Sequence, residues 1–172
     1  MADIQRVLIP TDFSVDSLRI ALEYLERTSD KQVELVLTGG YYMDDSITGL
    51  LGFTKEYYLD EIQNEDFIKG CGLIKSRFGS RIVEIYTDLF LSKNSRYVKN
   101  YIKGARITQI VHSEGYNFQF PNRNFFDVSD LLNRSNNEII SRINVIINDN
   151  LAENIDALDG IFFRKDWRVG YE

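Results

Sequence analysis

The feature that most constrains this chain is a regular alternation of two hydrophobic periods. Short, nearly continuous apolar runs occur at residues 7–10, 33–37, 82–86, 107–111 and 143–147. Runs of this length, without polar alternation, read as strands buried on both faces, the kind found in parallel sheets. Between them lie segments with helical spacing. Leu18, Ala21, Leu22 and Leu25 mark the first. Leu59, Ile62, Phe67, Cys71, Ile74 and Phe78 mark a second, read as one long helix with Gly70 and Gly72 as weak points and Gly79 as its stop. Residues 95–103, with Val98, Tyr101 and Ile102 inward, and residues 129–141, with Leu131, Leu132, Ile139 and Ile140, give two more. Pro10 ends the first strand and Ser14 is a candidate N-cap for the helix after it. Gly39 and Gly40 read as a break after the second strand. Strand and helix thus alternate four times before a closing strand. That order predicts an α/β fold, a five-stranded parallel sheet with helices on both faces.

Charge and length narrow the function classes. The 172 residues carry a net charge of -6, so binding to DNA or RNA gains nothing from counterion release and nucleic acid is not an expected partner. Anionic membrane surfaces are disfavoured for the same reason, and no window approaches the ~18 apolar residues of a membrane span. The opening Met1-Ala2-Asp3-Ile4-Gln5-Arg6 has no basic segment followed by an apolar stretch, so a cytoplasmic protein is expected. Cys71 is the only cysteine, which precludes an internal disulfide. One domain over residues 1–148 is expected, with 149–172 as an extension. Ile161, Phe162, Phe163 and Trp167 make that extension too apolar for a free tail, so it should dock on its own domain or on a dimer partner.

The stretch Val7-Leu8-Ile9-Pro10-Thr11-Asp12-Phe13-Ser14, followed by Ser17-Leu18 and Ala21-Leu22, resembles the opening of universal stress proteins. The element order extends the resemblance over roughly residues 4–148. The resemblance implies an adenine-nucleotide α-hydrolase-like fold and a homodimer, often formed through the fifth strand. Many such proteins bind ATP and others do not. In the binding branch an aspartate after the first strand contacts the nucleotide, and Asp12 occupies that place. A glycine loop after the fourth strand, Gly, two residues, Gly, nine residues, Gly, then Ser or Thr, holds the phosphates. Here His112 stands at the first glycine and Gly115 matches the second, but Phe125 and Phe126 replace the final Gly-Ser. Asp12 and Gly115 are therefore the candidate residues of a vestigial nucleotide site.

Other residues admit bland readings. Asp12 itself is equally suited to capping the first helix, where carboxylates are favoured. His112, the single histidine, has no second histidine for a metal and no nucleophile partner, so it reads as structural. Cys71 sits on an apolar helical face and reads as inert. Asp44, Asp45, Asp60, Glu61, Glu65 and Asp66 lack calcium-loop spacing, and the last four suit a solvated helix face. The aromatic cluster Tyr116, Phe118, Phe120, Phe125 and Phe126 reads as a loop folded back onto the core. A dimer contact, a partner surface or a small apolar-ligand pocket are the alternatives, and the alternation at 116, 118 and 120 also suits a short strand. No catalytic constellation is visible. The expectation is a non-enzymatic stress-response or regulatory homodimer, without cofactor or metal, that does not bind ATP tightly. The alternative is an ATP- or AMP-dependent switch that uses Asp12.

Overall fold

The structure, a computed structural model, describes residues 3–28, 31–43, 51–52, 54–135, 140–147 and 161–162. The first apolar run forms β1 (Gln5–Pro10), in which Val7, Leu8 and Ile9 are at most 1% exposed. β2 (Val33–Tyr41), β3 (Ile82–Phe90) and β4 (Gln109–Glu114) follow, then a two-residue strand, β5 (Phe125–Phe126), and the last strand, β6 (Ser141–Ile146). The sheet order is β3-β2-β1-β4-β6, and every neighbour in that path is parallel. Five of the strands thus form the parallel sheet expected from the apolar runs. β5 lies off the path and pairs antiparallel with the end of β2, Gly40 opposite Phe126 and Tyr41 opposite Phe125. This pairing begins where the β1 partnership of β2 stops, at Pro10 opposite Thr38, so the five-stranded core stays parallel.

Burial divides into two layers. On one face Val7, Ile9, Leu35, Leu37 and Val111 pack with α1 (Leu18–Arg27). On the other Leu8, Val36, Phe90 and Ile110 pack with later helices. Fully burying an aliphatic or aromatic side chain of this kind contributes about 1.5–3 kcal/mol relative to exposure. That return explains why the central strands have no room for polar alternation.

The helices depart from expectation in three places. The single long helix is two, α2 (Lys55–Ile62) and α3 (Glu65–Phe78). Asn64 separates them, its side chain accepting from Phe67 N at 2.8 Å, an N-cap followed by the acidic first turn Glu65-Asp66. Gly70 and Gly72 do not interrupt α3, because its buried stripe of Phe67, Gly70 and Ile74 is anchored by packing. α4 (Ser95–Gly104) buries Val98 and Ile102 as read. The helix expected over 129–141 ends early. It is α5 (Ser129–Arg134), and Ser141 already belongs to β6; residues 136–139, with Ile139, lie outside the described residues. The first helix begins at Leu18, not directly after Ser14. Ser14 Oγ instead accepts from Ser17 N at 3.2 Å and caps the tight turn that leads into it.

Beyond β6, Ile161 is buried in the core cluster that contains α1, and Phe162 packs against the same cluster. Phe163 and Trp167 fall outside the described residues. No helix among the described residues is long and apolar enough to cross a membrane.

Candidate functional site

In a doubly wound sheet the order in which strands are added reverses between two adjacent parallel strands, and the crevice beyond their carboxyl ends is where ligands bind. Here β1, β2 and β3 run to one side and β4 and β6 to the other, so that point lies between β1 and β4. Thr11-Asp12-Phe13-Ser14 leaves the end of β1, and Gly115 follows the end of β4.

The segment after β1 is tightly fixed. Phe13 has φ 61°, the left-handed region that costs a non-glycine residue about 1–2 kcal/mol. Two contacts hold it there. Phe13 N donates to Thr11 Oγ1 at 2.9 Å, and the Phe13 ring lies on the bare backbone of Gly39. A Cβ at Gly39 would sit 2.6 Å from that ring. Phe67 of α3 meets Phe13 edge-on, centroids 5.8 Å apart. Thr11 Oγ1 and Ser17 Oγ are 2.7 Å apart, and Ser17 Oγ donates to Ser14 O.

Asp12, 4% exposed, is the centre of the arrangement. Its Oδ1 accepts from Ser14 N at 3.0 Å and Ser14 Oγ at 2.5 Å. Its Oδ2 accepts from the Tyr116 hydroxyl and from Gln119 N, both at 2.9 Å. The first pair closes the turn after β1 and is not the helix cap considered from sequence, because α1 begins only at Leu18 and its first N–H groups donate to Val15 O, Asp16 O and Ser17 O. The second pair comes from the loop after β4. Burial pushes the Tyr116 hydroxyl up, with the Asp12 charge adding to it, so it remains a donor at all ordinary pH. Both carboxylate oxygens are therefore occupied by the chain's own groups.

Gly115 sits at the start of that loop with φ 82°. A Cβ there would meet Ile147 O at 2.4 Å. The glycine thus has a requirement of its own: the end of β4 passes directly against the end of β6, where Ile147 N donates to Glu114 O at 2.8 Å. His112 does not join Asp12. It lies at the β6 side, its Nε2 3.0 Å from Arg142 Nη1.

The aromatic cluster folds back onto the core. Tyr116, Phe118 and Phe120 are partly buried against the α1-side cluster, but residues 116–120 form no strand. The strand forms instead at Phe125 and Phe126, both 7% exposed. The Phe126 ring covers Gly40, where a Cβ would approach to 2.3 Å, and Phe125 meets Tyr41 edge-on. Tyr42 N donates to Asn124 O, and Lys93 Nζ stands 4.5 Å from the Tyr42 ring and 4.8 Å from that of Phe126. The strand-end residues Gly39 and Gly40 are thus continuous with β2 because two rings need the space a side chain would take.

Sequence reasoning missed a second polar group beside this one. Asp88 of β3 accepts from Lys55 Nζ at 2.9 Å and from the Tyr101 hydroxyl at 2.7 Å. The signal lay in β3 itself, since Asp88 shares a strand face with Phe90 just beyond the end expected for that strand. Cys71 is half-buried and its thiol is pushed up to about 12 by burial, the inert state expected. Asp60, Glu61, Glu65 and Asp66 are exposed on α2 and α3, and Lys69 stands 3.9 Å from both Glu65 and Asp66. Asp44 and Asp45 lie outside the described residues.

No protein-family model matches the sequence, and no curated protein matches it. Solved structures do. The hypothetical protein PH0823 is similar with 16% identity and a TM-score of 0.47, over 85% of this chain and 99% of that one. The hypothetical protein MJ0577 gives 14% identity and a TM-score of 0.46, over 85% and 98%. A protein from the universal stress protein family of Burkholderia pseudomallei gives 13% identity and a TM-score of 0.44, over 82% and 95%.

Proposed function

We propose that this chain is a universal stress protein-like, non-enzymatic regulatory domain of the cytoplasm whose nucleotide crevice is closed by its own loop. One observation carries the reading: both oxygens of Asp12 are taken by four donors from Ser14, Tyr116 and Gln119. A ribose contact would first have to displace Tyr116 and Gln119. Hydrogen bonds to a charged group are worth roughly 1.5–3 kcal/mol each, so exchanging two of them for a ribose contact brings no gain. The phosphates fare no better. A phosphate loop works by converging backbone N–H groups that glycine permits. His112 and Phe125 take two of those places, and Phe126 is packed on Gly40.

Calorimetry of the full chain with ATP and magnesium tests this reading. The expected result is no binding tighter than about 10 μM, roughly -7 kcal/mol. A tighter constant that disappears in Asp12→Ala would replace it with the nucleotide switch.

A homodimer belongs to the same proposal. Among the described residues β6 is an edge strand with Ile146 half exposed, and an edge of that kind favours pairing with another chain. Native mass spectrometry should give twice the 20.0 kDa of one chain. A monodisperse monomer at high micromolar concentration would count against it.

A further inference from the structure

We propose that His112 and Arg142 form an acid-sensitive latch, in which neutral His112 holds Arg142 against the C-terminal end of α5 and protonated His112 releases it. The contact has an unusual pairing of partners. Arg142 Nη1 stands 3.0 Å from His112 Nε2 and donates to Leu132 O at 2.9 Å, while Nη2 donates to Ser135 O. A guanidinium has only donors, so Nε2 must be the acceptor and the ring proton must sit on Nδ1. That nitrogen is buried and has no hydrogen-bond partner among the described residues. The imidazole is thereby committed to one neutral tautomer. Arg142 also makes no ion pair with a carboxylate among the described residues, so no anion shields the ring from it.

Protonation turns the acceptor into a second cation in contact with the first. No carboxylate among the described residues offsets this by pairing with Arg142. Arg142 is the only ionisable group of β6, and it is the charge that bears on the ring, adding to half-burial in holding His112 below the ordinary histidine value. The remaining ionisable groups on the α5 side are Asp130 and Arg134 on α5 and Glu114 on β4, all solvent-exposed, with Arg6 on β1 paired with Glu34 at 2.5 Å. α1, which packs on the opposite face with Val111 and Ile143, carries Arg19, Glu23, Glu26 and Arg27, and Arg27 pairs with Glu23 at 3.1 Å and donates to Asn144 O at 3.2 Å. Arg142 therefore swings out on acidification. The Ser135 carbonyl loses its Arg142 donor, the Leu132 carbonyl keeps only that of Ser135 Oγ at 2.8 Å, and α5 loses this tie to the outer strand of the sheet.

The sign of the pH dependence is fixed. The folded pKa is depressed below about 6.5, the value of a free histidine. The latch is intact above that value and weakens as pH falls through it, because the opened form takes up the proton first. The chain is suited to a clean test. It has one histidine, Cys71 titrates near 12, and no other side chain ordinarily titrates between pH 5.5 and 7.5.

The test is native-state hydrogen exchange of the full chain at pH 7.5 and 5.5, corrected for intrinsic exchange. Amides of α5 and β6 should lose protection by up to about tenfold, the ratio set by one proton over one pH unit below 6.5, with β1 and β2 unaffected. His112→Gln should abolish the difference. A second reading needs no variant of the histidine: its ring resonances should titrate below about 6.5 in the native chain and move upward in Arg142→Met. Equal protection at both pH values, the same loss in His112→Gln, or a ring that titrates at or above the free value would each overturn the latch.

Discussion

Two regions of the sheet are fastened in different ways. At β1 and β2 the fastening is apolar and close: the Phe13 ring lies on Gly39, and the Phe126 ring on Gly40, at distances that exclude even a methyl group. Near the start of β6 the ladder and the apolar core are supplemented by a polar fastening to the C-terminal end of α5, one guanidinium bridging an imidazole and two carbonyls. Close packing of rings on backbone has no titratable step, and its contacts fail only through a change of volume. A fastening by hydrogen bonds to one side chain is weaker and can be withdrawn by a single proton. The ends of β1 and β2 are thus closed by packing alone, whereas the proposed latch puts a proton-sensitive contact on the outer strand.

Substitutions should separate the two regions. The largest effect is expected for Phe126→Ala, which empties a buried aromatic site and should destabilise by about 3–5 kcal/mol in chemical denaturation. An effect under about 1 kcal/mol would mean that the ring is not sealing the end of β2. Gly115→Ala should cost about 1–3 kcal/mol, since it combines positive φ with a collision against Ile147 O. Tyr116→Phe removes one donor from Asp12 and should cost about 1 kcal/mol while leaving the ring contacts in place. If the same variant gained measurable ATP affinity by calorimetry, the loop would be a movable cover and not a fixed seal. The smallest effect carries the opposite sign. Gly72 lies in the interior of α3, and a Cβ there meets nothing within 4 Å, so Gly72→Ala should stabilise by about 0.5–1 kcal/mol in a thermal or denaturant melt.

Much of the fold is legible from the apolar runs, because a strand buried on both faces leaves no freedom for polar alternation. Val7, Leu8 and Ile9 could belong to little else. Legibility fails where one residue type serves two purposes. Gly39 and Gly40 look like a chain break, yet they extend β2 because Phe13 and Phe126 lie across them, and those rings come from 26 and 86 positions away in sequence. Asn64 divides a continuous apolar period by capping, a local signal outweighed in the sequence by the long spacing of hydrophobic residues. At the site, Asp12 was readable as a residue of interest. Its saturation was not, since the donors Tyr116 and Gln119 are brought to it only by tertiary structure. Gly115 was matched to a phosphate loop by position, whereas its contact with Ile147 gives it a purely conformational reason to be glycine. His112 offered no sequence cue to Arg142, which lies 30 residues on and is aligned only through the pairing of β4 with β6.

The Asp12 contacts have a consequence for the order in which the chain is made. Tyr116 and Gln119 lie 104 and 107 residues beyond Asp12. Contacts of such separation form late, after the entropy of closing the intervening chain has been met by nearer ones. During synthesis the segment carrying β1, α1, β2 and β3 leaves the ribosome well before the loop that covers it. For that interval Asp12 is held only by Ser14, two residues away, and faces water with its second oxygen free. The nascent chain therefore passes through a form in which the end of β1 is not yet covered by the loop after β4, and half of the hydrogen bonds to Asp12 are the last to be made.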